Sequence, residues 1–206
     1  MDSVADRNLW LTGNAEADTL LSTDPNALLL GMVLDQQVPM EKAFSGPAVI
    51  AARMGGRLDV AAIAAADPAE FATLCSTPPA VHRFPGSMAG RLQQVCRMLV
   101  DSYGGSAQGL WQDVTTGKEL RARIAALPGF GAQKAAIFTA LLGKQYGVTP
   151  AGWREAAGPY GAEGSHLSVA DVVDEQSLTL VRAAKKAAKA AARPAERAEP
   201  RRRSTA

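Results

Sequence analysis

Leu127-Pro128-Gly129-Phe130-Gly131 is the stretch that decides the fold, because it is all that separates two helical patterns. Before it, Leu120, Ile124 and Leu127 recur at helical spacing behind Thr116, a residue suited to cap a helix start. After it, a helix opens at Gly131 or Ala132, carries Ala135, Ile137, Phe138, Leu141 and Leu142 inward, and stops at Gly147. Gly129 and Gly131 permit backbone with positive φ and, lacking side chains, let another molecule approach the main chain. The second helix presents unpaired N–H groups and the positive end of its dipole, so the turn is built to receive an anion. Phe130 is placed to plug the space between the two helices, and Lys134 stands on the first turn beside the anion.

The rest of the chain is helical in the same way. Asp24-Pro25 sets a cap before a proline at the first helical position, and Ala27 to Leu34 is apolar on every side, as expected of a central buried helix. Asp67-Pro68-Ala69-Glu70 repeats the device, with Glu70 placed to complete a capping box. Ser87 is placed to cap a helix running to about Tyr103, where Gly104-Gly105 end it. Cys96 falls on that helix's apolar stripe, which assigns it to packing. A short helix is expected over 150–156, and another from Leu178 to Ala192. Strand-type alternation is nearly absent. The sequence therefore predicts an all-α protein.

Composition narrows the function. The net charge of +2 is unevenly spread: residues 182–206 carry a net +7 and residues 1–181 a net −5. A basic terminus of this kind attracts polyanions. Two domains of behaviour follow: a helical domain over 1–190, and a disordered basic tail over 191–206, where prolines and arginines replace bulky apolar residues. No run is long enough for a membrane span, and the acidic start, Met1 to Arg7, lacks the apolar core of a secretory signal. A cytoplasmic location is expected. Cys75 and Cys96 supply too few thiolates for an iron–sulfur cluster, and no Cys/His spacing suggests zinc.

Leu127 to Gly131 between two such helices resembles the helix-hairpin-helix motif of the base-excision DNA glycosylase superfamily, which includes endonuclease III and 3-methyladenine glycosylase. Met32-Val33-Leu34-Asp35-Gln36-Gln37 resembles the apolar helix of that family ending in a Gln pair, and Ser87 to Leu92 its later helix with a small, basic start. The resemblance covers about Thr19 to Ala151. It implies a two-lobed helical fold and a double-stranded DNA partner. The hairpin would bind a backbone phosphate, with a monovalent cation on the Leu127 and Gly129 backbone, and Gln37 would enter the stack where a base has been flipped out. Gln37, Gly129, Phe130, Gly131, Gln133 and Lys134 are the DNA-binding candidates. No cofactor and a monomeric chain are expected.

Chemistry is where the residues depart from that family. Its glycosylases need an aspartate that, counted from Gln133, would fall eighteen or nineteen residues on; Ala151 and Gly152 stand there. Bifunctional relatives place a Schiff-base lysine where Gln133 stands, and Lys134 points about 100° further around the helix. Glu155 is the carboxylate nearest the vacant position along the chain. Asp171 and Asp174 are further substitutes, although acidic residues also favour the helix start expected there. His82 is placed to line the same cleft or to make an ordinary loop hydrogen bond, and His166 lies in a Gly-rich segment. Trp153 and Tyr160 are suited equally to stacking on a base and to packing. Two functions stay open: a monofunctional glycosylase using a displaced carboxylate, and a noncatalytic DNA-binding protein on the same scaffold.

Overall fold

The computed structural model describes residues 8–191, so the tail expected over 191–206 lies outside the described residues from position 192 onward. Ten α-helices are found there: α1 Ala15–Thr23, α2 Pro25–Leu34, α3 Met40–Arg53, α4 Val60–Ala65, α5 Pro68–Ser76, α6 Pro85–Tyr103, α7 Gly117–Ala125, α8 Ala132–Gln145, α9 Trp153–Ala156 and α10 Glu175–Ala191. Among the described residues the only β pairing is an isolated bridge between Thr116 and Ala151. The protein is all-α. No described helix is long and apolar enough to cross a membrane.

Capping chemistry explains most of the helix starts. Asp24 accepts from the Asn26 amide at 2.8 Å with Pro25 in the first turn, and every residue from Ala27 to Leu34 is buried. Asp67 takes the amides of both Ala69 and Glu70, and the Glu70 side chain makes no return bond among the described residues, so the expected capping box is not formed. α6 begins two residues before Ser87 because Pro85 fills the first helical position and the Phe84 carbonyl accepts from the Met88 amide. Gly104 ends α6 in the left-handed region, as the Gly104-Gly105 pair predicts. Helices α1, α3 and α4 fall where no start was predicted, although Asn14 and Asp59 cap α1 and α4.

The helices sort into two groups. In one, α2 and α3 pack tightly together while α4 and α5 lie on α6. Glycine makes the α2–α3 approach possible: a Cβ on Gly31 would lie 2.7 Å from the Phe44 ring, and one on Gly46 2.3 Å from Leu34 Cδ1. In the other group, α7, α9 and two 3-10 turns surround α8. The 3-10 turn Ala107–Leu110 touches α2, α6 and α7 and joins the groups at the back. At the front the C-terminus of α2 and the N-terminus of α8 face one cleft, with α10 contributing a wall.

Both cysteines are free and buried. Burial pushes the Cys75 thiol up to about 11 and the Cys96 thiol up to about 12, so neither supplies a thiolate near neutral pH.

Candidate nucleic-acid interface

The hairpin turn has two different glycines. Gly129 has φ +81°, the left-handed backbone the turn requires, and its missing Cβ makes room for Arg91: a Cβ there would lie 2.5 Å from Arg91 Cδ. Gly131 has φ −85°, so the expectation of positive φ at both glycines holds at Gly129 alone. A Cβ on Gly131 would meet nothing within 4 Å. Gly131 is the N-cap of α8 without a side-chain cap, and the amides of Ala132, Gln133 and Lys134 have no carbonyl a turn earlier to bond. Phe130 is buried and packs against Phe138, ring centroids 6.1 Å apart, closing the space beneath the turn.

Behind this turn lies a cleft of about 610 Å³. Met32, Val38 and Ile137 give it apolar walls, and Asp35, Gln37, Gln133, Lys134, Tyr160 and Lys185 bring polar groups to it. The Gln133 side chain amide donates to the Tyr160 hydroxyl at 2.8 Å, which fixes the phenol on the cleft wall. Lys134 turns inward: its amine donates to the carbonyls of Met32 and Val33 at 2.9 and 3.1 Å, capping α2 from across the cleft. The same amine lies 5.5 Å from the Phe130 ring centroid.

Asp35 is the carboxylate of the cleft. It caps the C-terminus of α2, is half-buried, and its side chain accepts no hydrogen bond among the described residues. Burial raises its pKa above the usual aspartate value, and the charges of Lys185 and Lys134 oppose that rise. Asp35 stood inside the quoted Met32–Gln37 stretch but was not singled out by sequence reasoning. Its position matters only because α10, far along the chain, returns to close the cleft beside it.

The carboxylates weighed on the sequence sit elsewhere. Glu155 is exposed on α9, near Gly152, and does not line the cleft. Asp171 pairs with Lys144 at 2.5 Å and accepts the amides of Leu167 and Ser168, a buried structural knot. Asp174 accepts from the Ser177 amide at the start of α10, and those bonds hold its pKa below the usual value. Ala151 and Gly152, where the aspartate would be, carry no carboxylate, and the Ala151 backbone pairs with the chain before α7: Gly117 N–H donates to Ala151 O, and Ala151 N–H to Thr115 O. Trp153 packs on Gly143, where a Cβ would fall 2.2 Å from its ring, so it is structural. His82 is buried and bonds the Gln36 carbonyl at 2.8 Å, the ordinary loop hydrogen bond. His166 lies outside the cleft lining. Among the described residues no group of three or more His, Cys, Asp or Glu is placed to hold a metal ion.

Burial lowers the Lys134 pKa to about 8, while Asp35 pulls it back up and Arg91 pushes it further down. A lysine titration followed by NMR with carbon-labelled side chains should therefore show one amine near 8, and Asp35→Asn should lower that midpoint. Between about 8 and the ordinary lysine value the unfolded chain binds more protons at this group than the folded one. This amine's contribution thus makes stability rise with pH across that window. A midpoint at the ordinary lysine value in the wild-type chain would show that the amine is not held in the cleft.

The sequence comparisons agree with this geometry. The chain matches the family described as HhH-GPD superfamily base excision DNA repair protein over residues 30–200, a span that takes in the α2 end, the hairpin and α10. Comparison with curated proteins and with solved structures returned no match. The family match covers most of the chain: the chain belongs to the HhH-GPD superfamily of base excision DNA repair proteins.

Proposed function

We propose that the protein is a monofunctional DNA glycosylase that binds duplex DNA through the 129–134 hairpin and releases a damaged base in the cleft. The observation that carries this reading is Asp35, a half-buried carboxylate with no hydrogen-bond partner among the described residues, lining one cleft with Gln37 and the start of the hairpin helix. As the bond between base and sugar breaks, its electron pair leaves with the base and positive charge develops on the sugar. A fixed anion in a low-dielectric cleft stabilises that charge more than water does. Water then adds to the sugar carbon and gives up its proton, for which Asp35 is the acceptor. The cleft is large enough for an extruded base, with Tyr160 as a stacking surface and Gln37 at its mouth.

Gln133 has no amine to form a Schiff base, and the Lys134 amine is tied to two carbonyls. The product should be an abasic site. Single-turnover assays on duplexes carrying alkylated, deaminated or oxidised bases test this: cleavage should appear only after alkali, with no borohydride-trapped adduct. Strand cleavage without alkali would overturn the monofunctional reading.

The lack of a carboxylate at Ala151 and Gly152 favours a second reading, a noncatalytic DNA-binding protein on this scaffold. Tight duplex binding with every lesion left intact would select it. In either case the basic residues beyond position 192 would add sequence-independent, salt-sensitive affinity.

A further inference from the structure

We infer that Arg91 is a positioning residue that couples a DNA phosphate seated on the hairpin to the placement of Gln37. The inference rests on the DNA-binding reading above and goes beyond it. Arg91 projects from the second turn of α6 and lies across the hairpin at Gly129, its Cδ and Nε filling the space a Cβ would need. Its Nη1 donates to Gln36 Oε1 at 3.2 Å. The other guanidinium donors have no partner among the described residues, so this cation, lying against the turn at Gly129, keeps most of its donors for a ligand.

Gln36 is held from a second side. The buried His82 ring accepts the Phe84 amide at Nδ1, 3.0 Å away, which leaves Nε2 to donate to the Gln36 carbonyl. The next residue, Gln37, has φ +54° and is the only described non-glycine residue in the left-handed region. Such backbone persists where its surroundings over-determine it, and here Gln36 carries those restraints. Gln37 itself is exposed and borders both the main cleft and a smaller hollow of about 310 Å³ lined by His82, Phe84 and Arg91. A phosphate on the hairpin amides fixes the guanidinium, the guanidinium fixes the Gln36 side chain, and Gln36 holds the Gln37 turn. A protein loosely bound to DNA would then present Gln37 less accurately than one whose hairpin is occupied.

The test uses the full chain and a duplex carrying an abasic-site analogue opposite 2-aminopurine, whose fluorescence rises on unstacking. Wild-type protein at saturation should raise the fluorescence. Arg91→Met should weaken binding, flatten log K against log salt by about one unit, and lose the fluorescence gain even at saturation. Gln36→Ala leaves the cation in place, so it should keep the wild-type salt slope and still lose the gain. Thermal unfolding is measured in parallel, and the Gln36 variant decides the matter if the Arg91 variant does not fold. A folded Gln36→Ala or Arg91→Met variant with the full fluorescence gain at saturation overturns the coupling while leaving DNA binding intact. Absence of duplex binding by the wild type overturns the DNA reading and the coupling with it.

Discussion

Asp35→Asn is expected to slow base release by about a hundredfold or more in single-turnover assays, the scale associated with losing one preorganised electrostatic contact at a developing charge. Asparagine preserves the size and shape of the side chain while removing its charge, so the cleft and the duplex affinity should change little. The same substitution at Glu155 should leave the rate near wild type, because that side chain is exposed and outside the cleft lining. The pH profile gives an independent check. Burial raises the Asp35 pKa, so activity should be lost on acidification at a higher pH than an ordinary aspartate would dictate. Equal, measurable rates for Asp35→Asn and wild type would remove Asp35 from the chemistry, whereas no base release by either would favour the noncatalytic reading.

The second large effect separates binding from folding at the hairpin. Gly131→Val should weaken duplex binding by at least about tenfold while barely moving the thermal midpoint, because a side chain there meets open space in the free protein yet covers the amides at the N-terminus of α8. Gly129→Val should behave differently. It forces a β-branched residue into φ +81° and against Arg91, which costs about 1–3 kcal/mol from the backbone alone. Filter binding or anisotropy alongside calorimetry distinguishes the two. A stable Gly131→Val chain that binds duplex as well as wild type would show that DNA does not approach this end of α8.

The hairpin was legible because its signals are local: a short glycine turn and a capped helix on one side of it, an apolar stripe on the other. The difference between Gly129 and Gly131 comes from the turn itself: Phe130 N–H bonds Leu127 O, which puts Pro128 and Gly129 at the central positions and requires positive φ at the second alone, while Gly131 caps α8 with extended backbone. Asp35 and Arg91 were invisible for a longer-range reason. One acquires its meaning from α8 and α10 closing around it, the other from lying against a turn that enters the fold from another helix pair. The helical position of Lys134 places it on the first turn of α8, beside the anion the turn is expected to receive. Its long stem reaches back to the C-terminus of α2, where the Met32 and Val33 carbonyls accept from the amine, a contact set by tertiary packing that helical position alone does not reveal. The Asp67 cap illustrates the smaller scale: one carboxylate oxygen accepts both amides, and only the return bond from the Asp67 N–H to the Glu70 side chain is missing from the box.

The Lys134 contact also has a mechanical meaning. At the back the two helix groups share the packed turn Ala107–Leu110, and at the front an amine on α8 reaches the end of α2. That arrangement is a hinge with a clasp. Lys134→Met would remove that clasp and should let the cleft loosen while both cores stay packed. Loosening should show first in hydrogen exchange at the end of α2 and the start of α8, while the amides buried around Ala107–Leu110 stay protected.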